Sequence, residues 1–268
     1  MKRRLIKKTS VQSVLYPLVF GVILLLLWQC GALHALLGTD TFTLPLPTRI
    51  LRIIGENGAK IAVDVRATLI VALGGLVLGS LLGFVFAMVA ALFPHWGQGG
   101  LSIATAFNAV PIIAIAPICN NLTKDVSTDP SVRSMVAKML VVMLTCTVSM
   151  GINAYRGFTE LKPFSLDLFK SYAATPRDVF LRLRLPNCVP YIFTALRISV
   201  PGCIISAMVS EYFAEFIIGV GRQIRENIVL AQYATAWAYI VVACVLGITM
   251  YIALLLLEKI LLKSRVKK

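Results

Sequence analysis

Few residues in this chain are placed to do covalent chemistry. Its six cysteines, Cys30, Cys119, Cys146, Cys188, Cys203 and Cys244, are scattered, and no two have C-x-x-C spacing. Most fall in or beside apolar stretches, where a free thiol behaves as a small hydrophobe. His34 and His95 each stand alone, without a neighbour in sequence to complete a ligand set. No Ser–His or Ser–Lys pair, paired aspartate or His-rich metal site lies in the apolar stretches, which sets aside an intramembrane enzyme. The phosphate-binding pattern G-x-x-x-x-G-K-S/T is also missing, so the chain is not itself an ATPase.

What the chain carries instead is polar residues inside apolar runs. One run holds Asn108, Pro111 and Pro117; the next holds Thr145, Thr147, Ser149 and Asn153. A third holds Arg197, Ser199, Pro201, Ser206, Ser210 and Glu211. At membrane depth such side chains face the bundle interior or a cavity, and prolines free backbone carbonyls. Hydrogen bonding between helices accounts for any one of them, with snorkelling for Arg197. Together, Asn108, Pro111, Thr145, Ser149, Asn153, Ser206, Ser210 and Glu211 mark a candidate pathway for a small solute.

The elements that must hold these residues follow from composition. The 268 residues are 58% apolar and only 14% charged, with a mean hydropathy of +0.85. The excess comes in segments of about 20 residues, the length that crosses a hydrocarbon core. Six spans are predicted: Val11–Leu33, Thr68–Phe93, Leu101–Ile118, Met135–Tyr155, Tyr191–Phe213 and Thr235–Leu257. The apolar run of the first span continues past any signal-peptide length without a clean cleavage site, so it is expected to stay uncleaved. Residues 1–66 read as tail, first span and outer segment, and residues 67–268 as the core. On the second span Gly75, Gly79 and Gly83 repeat every four residues, a stripe that lets another helix approach closely.

A net charge of +14 could point to nucleic acid, but its placement points to a membrane. Sixteen of the 26 Lys and Arg fall in the first eight residues, the last ten, and the loop 156–190. Six spans put all three clusters on one side, the cytoplasmic side, where they meet anionic lipid. No nucleic acid is expected as a partner.

That loop, Arg156–Pro190, is the longest polar segment. Pro163–Tyr172 reads as a short helix with Leu166, Phe169 and Tyr172 on one face. Ala173-Ala174 then joins it to a second. Thr175-Pro176-Arg177-Asp178 is a strong helix start: an N-cap, a first-turn proline and an acidic third position. Val179, Phe180 and Leu183 give the second helix an apolar face, and Leu185-Pro186 is expected to end it.

The segment DLFKSYAATPRDVFLRLRLPNCVPYIFTALRIS resembles the cytoplasmic EAA loop of permease subunits of binding-protein-dependent ABC importers. Pro186 stands at that motif's Leu-Pro ending, Ala173 where its glycine usually is, and Asp167 at its acidic position. Leu168 and Phe169 replace its two alanines. LPLPTRIL (44–51) looks like the family's outer segment, NAVPIIAIAP (108–117) like its third-helix motif, and SEYFAEFIIGVGRQI (210–224) like its GLG-type segment. The closest group is similar to the nitrate, sulfonate and taurine type, which includes pyrimidine-precursor and riboflavin permeases. ICNNLTKDVSTDPS (118–131) departs from the WFG-like stretch common there.

The resemblance implies an all-α integral membrane protein with the type I ABC importer (MetI-like) permease fold, in a bacterial inner membrane with both termini cytoplasmic. It implies two permease chains around a pore, homodimeric by preference, a cytoplasmic ATPase dimer and an extracytoplasmic solute-binding protein. This chain would bind no cofactor, and ATP would be used by the partner. Asp167, Phe169, Tyr172, Ala173, Ala174, Thr175, Val179, Phe180, Leu185 and Pro186 form the expected ATPase-coupling loop, with Phe169, Tyr172, Val179 and Phe180 gripping the ATPase. A secondary transporter or channel with no ATPase is the alternative; its helices would carry more charge for ion coupling than Arg197 and Glu211.

Overall fold

The computed structural model describes residues 2–107, 109–214, 216 and 218–262, with side chains from residue 15 onward except at 94–96, 98, 101, 104 and 107. Every regular element among them is helical. The elements are α1 (Lys2–Gln29), α2 (Ala32–Leu37), α3 (Pro47–Glu56), α4 (Gly58–Leu92), α5 (Pro94–Phe107), α6 (Ile112–Leu122), α7 (Pro130–Thr159), α8 (Ser165–Ser171), α9 (Pro176–Val179), α10 (Leu185–Tyr212), α11 (Val220–Val229) and α12 (Tyr233–Leu262).

Among the described residues, four stretches are long and apolar enough to cross a membrane: α4, α7, the run Pro176–Tyr212 and α12. Leu15–Gln29 and α6 are shorter apolar helices. The predicted third span, Leu101–Ile118, is not one helix. It is two, parted before Pro111, which caps α6 with extended backbone. Proline disfavours helix in the residue before it, so the apolar run breaks there although its hydropathy does not. Pro117, in contrast, lies inside α6.

The predicted second, fourth, fifth and sixth spans correspond to long apolar helices, whereas the first, Val11–Leu33, matches only the shorter apolar helix Leu15–Gln29, which ends four residues early. α4 begins ten residues before Thr68, and α7 begins at Pro130, where Asp129 Oδ1 accepts the Ser131 N–H at 2.8 Å. Charged first turns hid both starts from a hydropathy reading.

The chain forms two compact units: Met1–Ile61 with Ile224–Val241, and Ala62–Gln223 with Val242–Lys268. In the first, the 44–51 segment is tied down locally. Pro45 is fully buried, Gln29 and Thr48 exchange two hydrogen bonds of 3.2 Å, and a His34 ring nitrogen lies 2.6 Å from the Leu44 carbonyl. Trp237 Nε1 donates to the Thr43 carbonyl while its ring meets Trp28 edge-on.

In the second unit, α4, α7 and α10 share one apolar core: Val71, Ala72 and Leu76 against Val142, Cys146, Cys203 and Ala207, with Leu246 and Leu254 of α12. The small-residue stripe of α4 lies on α7. A Cβ added at Gly75 would meet Val142, one at Gly79 the Met143 carbonyl, and one at Gly83 the Thr147 carbonyl. At the far end, Arg197 of α10 grips Glu258 of α12 with two hydrogen bonds, Nε to Oε2 at 2.9 Å and Nη2 to Oε1. Arg197 therefore has a partner within the protein, on a side chain that is 46% exposed.

Candidate functional site

The loop after α7 is closed at its neck. Asn187 Nδ2 donates to the carbonyls of Gly157 (2.8 Å) and Glu160 (3.0 Å), and Tyr191 Oη donates to Glu160 Oε2 at 3.1 Å. Residues between 160 and 187 thus project as a tethered knob rather than a slack linker.

Inside the knob, α8 ends in a full two-bond C-terminal cap. The Ala174 N–H reaches the Phe169 carbonyl at 3.0 Å and the Ala173 N–H the Lys170 carbonyl at 2.9 Å. This cap needs a left-handed residue at its centre, and Ala173 supplies it with φ of 49°. Glycine adopts that conformation freely, whereas alanine is strained there by about 1–2 kcal/mol. The family's glycine is thus explained by the turn, which alanine here keeps. Ala173→Gly is expected to stabilise the knob by about 1 kcal/mol, slowing amide exchange across 165–180 roughly fivefold. Unchanged or faster exchange would contradict a strained Ala173.

The second half starts as its sequence dictates. Thr175 Oγ1 accepts the Asp178 N–H at 3.2 Å and donates to Asp178 Oδ2 at 2.6 Å, with Pro176 in the first turn. The helix does not stop at Leu185-Pro186. A π-turn over Phe180–Arg184 carries α9 into α10, with the Leu185 N–H bonded to the Phe180 carbonyl. Pro186 lacks an N–H, and its ring would crowd the carbonyl four residues back in a regular helix; the wider turn sits just before it.

This continuation turns the second apolar face inward. The Phe180 ring stacks on Phe158 at 5.4 Å, and Phe158 lies 5.5 Å from Phe84 of α4. Leu185 packs on the same cluster, and Arg184 Nη1 donates to the Ala91 carbonyl at the end of α4. Phe180 is thus half-buried against this cluster rather than fully exposed. The most exposed large apolar side chains on and beside α8 are Phe164 (83% exposed), Tyr172 (78%) and Leu168 (55%). Asp167 is exposed there too and pairs with Lys170 at 3.6 Å. Phe169, Ala174 and Val179 are half-buried, and Pro186 is exposed. Phe164 escapes a helical reading because it precedes α8 in left-handed backbone.

Of the candidate pathway residues, Asn108 lies outside the described residues and Pro111 is exposed before α6. Thr145 and Ser206 meet across α7 and α10, Oγ to Oγ at 3.2 Å. Asn153 Nδ2 donates to the Ser149 carbonyl one turn before it. Ser206, Ser210 and Glu211 are all buried.

Glu211 belongs to a polar knot. Three successive amides at the start of α11 are each taken by a side chain: Gly219 by Asp64 Oδ1 (3.1 Å), Val220 by Thr68 Oγ1 (3.0 Å) and Gly221 by Glu211 Oε2 (2.8 Å). Lys138 Nζ donates to the Ile218 carbonyl at 3.3 Å. Gly219 has φ of +117°, and any Cβ there would strike the Glu211 carboxylate. The G-V-G sequence is therefore the shape of the loop that Glu211 holds. Asp64, Thr68 and Lys138 escaped sequence reasoning. The signal was a lone lysine inside the apolar run VAKMLVVML and an aspartate that lies within α4 rather than in the loop before it.

Residues 75–263 match the family described as binding-protein-dependent transport system inner membrane component, and the chain belongs to it. It is the permease component of a binding-protein-dependent ABC importer, a class that works with an ATPase and a solute-binding protein. The chain is 28% identical over 262 residues to the formylaminopyrimidine transport permease protein ThiX of Halalkalibacterium halodurans, covering 97% of this chain and 100% of that one. A probable ABC transporter permease of Haemophilus influenzae is 26% identical over 74% of this chain and 77% of its own. The bicarbonate permease CmpB of Synechocystis is 26% identical over 32% and 30%. The fold resembles a chain of the inward-facing MetNI methionine ABC transporter, with a TM-score of 0.50 at 12% identity over 73% of this chain and 94% of that one. The MetI-like type I permease fold is thereby established.

Proposed function

We propose that this chain is the non-catalytic, pore-forming subunit of an ATP-driven importer and that an ATPase pair docks on its 156–190 loop. The observation that carries the reading is the exposed apolar face of Phe164, Leu168 and Tyr172 on a knob with a closed neck. A solvated linker gains nothing from leaving three large apolar side chains in water. Two knobs, one from each of two permease copies, receive the two ATPases. An extracytoplasmic binding protein delivers solute to the opposite face. The three basic clusters support a reading in which the knob and both termini lie in the cytoplasm of a bacterial cell.

The Thr145–Ser206 contact, with Ser149 and Asn153 on the same helix, supports a solute path along α7 and α10. ATP is bound and used by the partner. The relative that aligns along its whole length makes a formylaminopyrimidine the first solute to test. Gentle solubilisation from the native host is expected to recover the chain with a P-loop ATPase in equal amount. Repeated recovery without any nucleotide-binding subunit would favour a secondary transporter instead.

A further inference from the structure

Two opposite charges are buried at the polar knot without touching. Lys138 is 5% exposed and Glu211 is fully buried. They attract each other, yet no hydrogen bond or ion pair joins them among the described residues. The Lys138 ammonium has three donors and makes one hydrogen bond, to the Ile218 carbonyl at 3.3 Å. Glu211 Oε2 accepts the Gly221 amide, while the buried Oε1 has no hydrogen-bond partner. The Thr68 hydroxyl also acts on Glu211, but its one hydrogen goes to the Asp64 carbonyl at 3.2 Å. Buried charges with unmet hydrogen-bonding capacity are costly.

Both groups line one cavity of about 240 Å³, between the first half of α4 and the start of α7. A water occupies about 30 Å³ in the liquid, so the space has room for several. Val63, Ile70 and Met135 give it an apolar wall, and Arg66 borders it from an exposed position. A water in this cavity finds a donor at Lys138 Nζ and an acceptor at Glu211 Oε1, the polar partners that a buried water needs.

We propose that Lys138 and Glu211 form a water-bridged ion pair across this cavity and that the pair is the catch on the G-V-G loop. Lys138, from α7, holds the Ile218 carbonyl, and Glu211, from α10, holds the Gly221 amide. Asp64 and Thr68 of α4 take the Gly219 and Val220 amides between them. The bridge joins the α7 grip to the α10 grip, so one buried pair fastens the loop at both ends. Charges that meet through water keep part of their hydration, which lowers the cost of burying them and of parting them. The loop is thus held yet releasable. The inference does not depend on the importer reading, since it concerns the fold of the chain alone.

A density map of the full chain, at a resolution that shows ordered water, is the first test. One or two waters are expected to link Lys138 Nζ to Glu211 Oε1 through hydrogen bonds of roughly 2.7–3.2 Å. Direct contact of the two side chains, a different carboxylate on Lys138, or a cavity filled by lipid alone would overturn the proposal. The second test is amide exchange across Gly219–Gly221 in mild detergent. Lys138→Met and Glu211→Gln are each expected to speed exchange about tenfold, the effect of losing a charge-assisted contact. The double variant should fall well short of the hundredfold product, because neither charge is then left buried alone. A full product would show that the two groups act independently. An effect of Arg66→Gln as large as either single variant would also overturn the pairing, because an exposed cation would then serve as well. If a single variant fails to fold, the density of the wild type decides.

Discussion

Tyr172→Asp is expected to weaken ATPase association by about 2 kcal/mol or more, roughly thirtyfold, and to lower uptake with it. The chain itself should stay folded, because the side chain is 78% exposed and leaves no cavity behind. Large aromatic side chains at the centre of an interface carry much of its energy, and a carboxylate in their place must be desolvated without a partner. Leu168→Asp should act alike. Phe180→Asp is the informative contrast: it places a charge against Phe158, which is itself fully buried. Its expected result is less folded protein in the membrane. Uptake per folded chain, measured in proteoliposomes with ATPase and binding protein, separates the two effects. Normal uptake in both Tyr172→Asp and Leu168→Asp would remove the docking role of α8.

Gly79→Val is expected to destabilise the second unit by about 1–3 kcal/mol or more, and Gly83→Val likewise. At Gly79 the new Cβ would meet the Met143 carbonyl and lie 2.8 Å from Cys146 Cβ. At Gly83 it would meet the Thr147 carbonyl and lie 2.9 Å from the Gly151 nitrogen. Backbone cannot rotate away as a side-chain tip can, so the helices must separate along a face whose association depends on close approach. Gly247→Val on α12 is the control, since nothing lies within 4 Å of its added Cβ. The midpoint of thermal unfolding in detergent should fall for the first two and hold for the third. Equal behaviour of all three would show that the stripe is not a packing seam.

Residues with strong local chemistry were the legible ones. Thr175-Pro176-Asp178 foretold a capped helix start because a hydroxyl, a fixed φ and an acid act within one turn. The four-residue glycine spacing foretold a close helix contact but could not name α7 as the neighbour. The inward turn of Phe180 was illegible: a π-turn changes which side of the helix a residue faces, and no composition announces it. The break before Pro111 was hidden because apolar residues flank it on both sides, and hydropathy does not record backbone. Lys138, Asp64 and Thr68 are far apart in sequence, and only folding brings them to one loop.

The run Pro176–Tyr212 is 37 residues long without a loop, which at 1.5 Å per residue spans about 55 Å. Pro190 and Pro201 lie within it but do not interrupt it. Its first turns are part of the knob, and Glu211, near its last, holds the G-V-G amides. On the docking proposed above, such a rod would act as a lever. A push at the knob would meet no slack segment and would arrive at Glu211 as a tilt or a shift, so that work done at α9 would reach the G-V-G loop through a single piece of backbone.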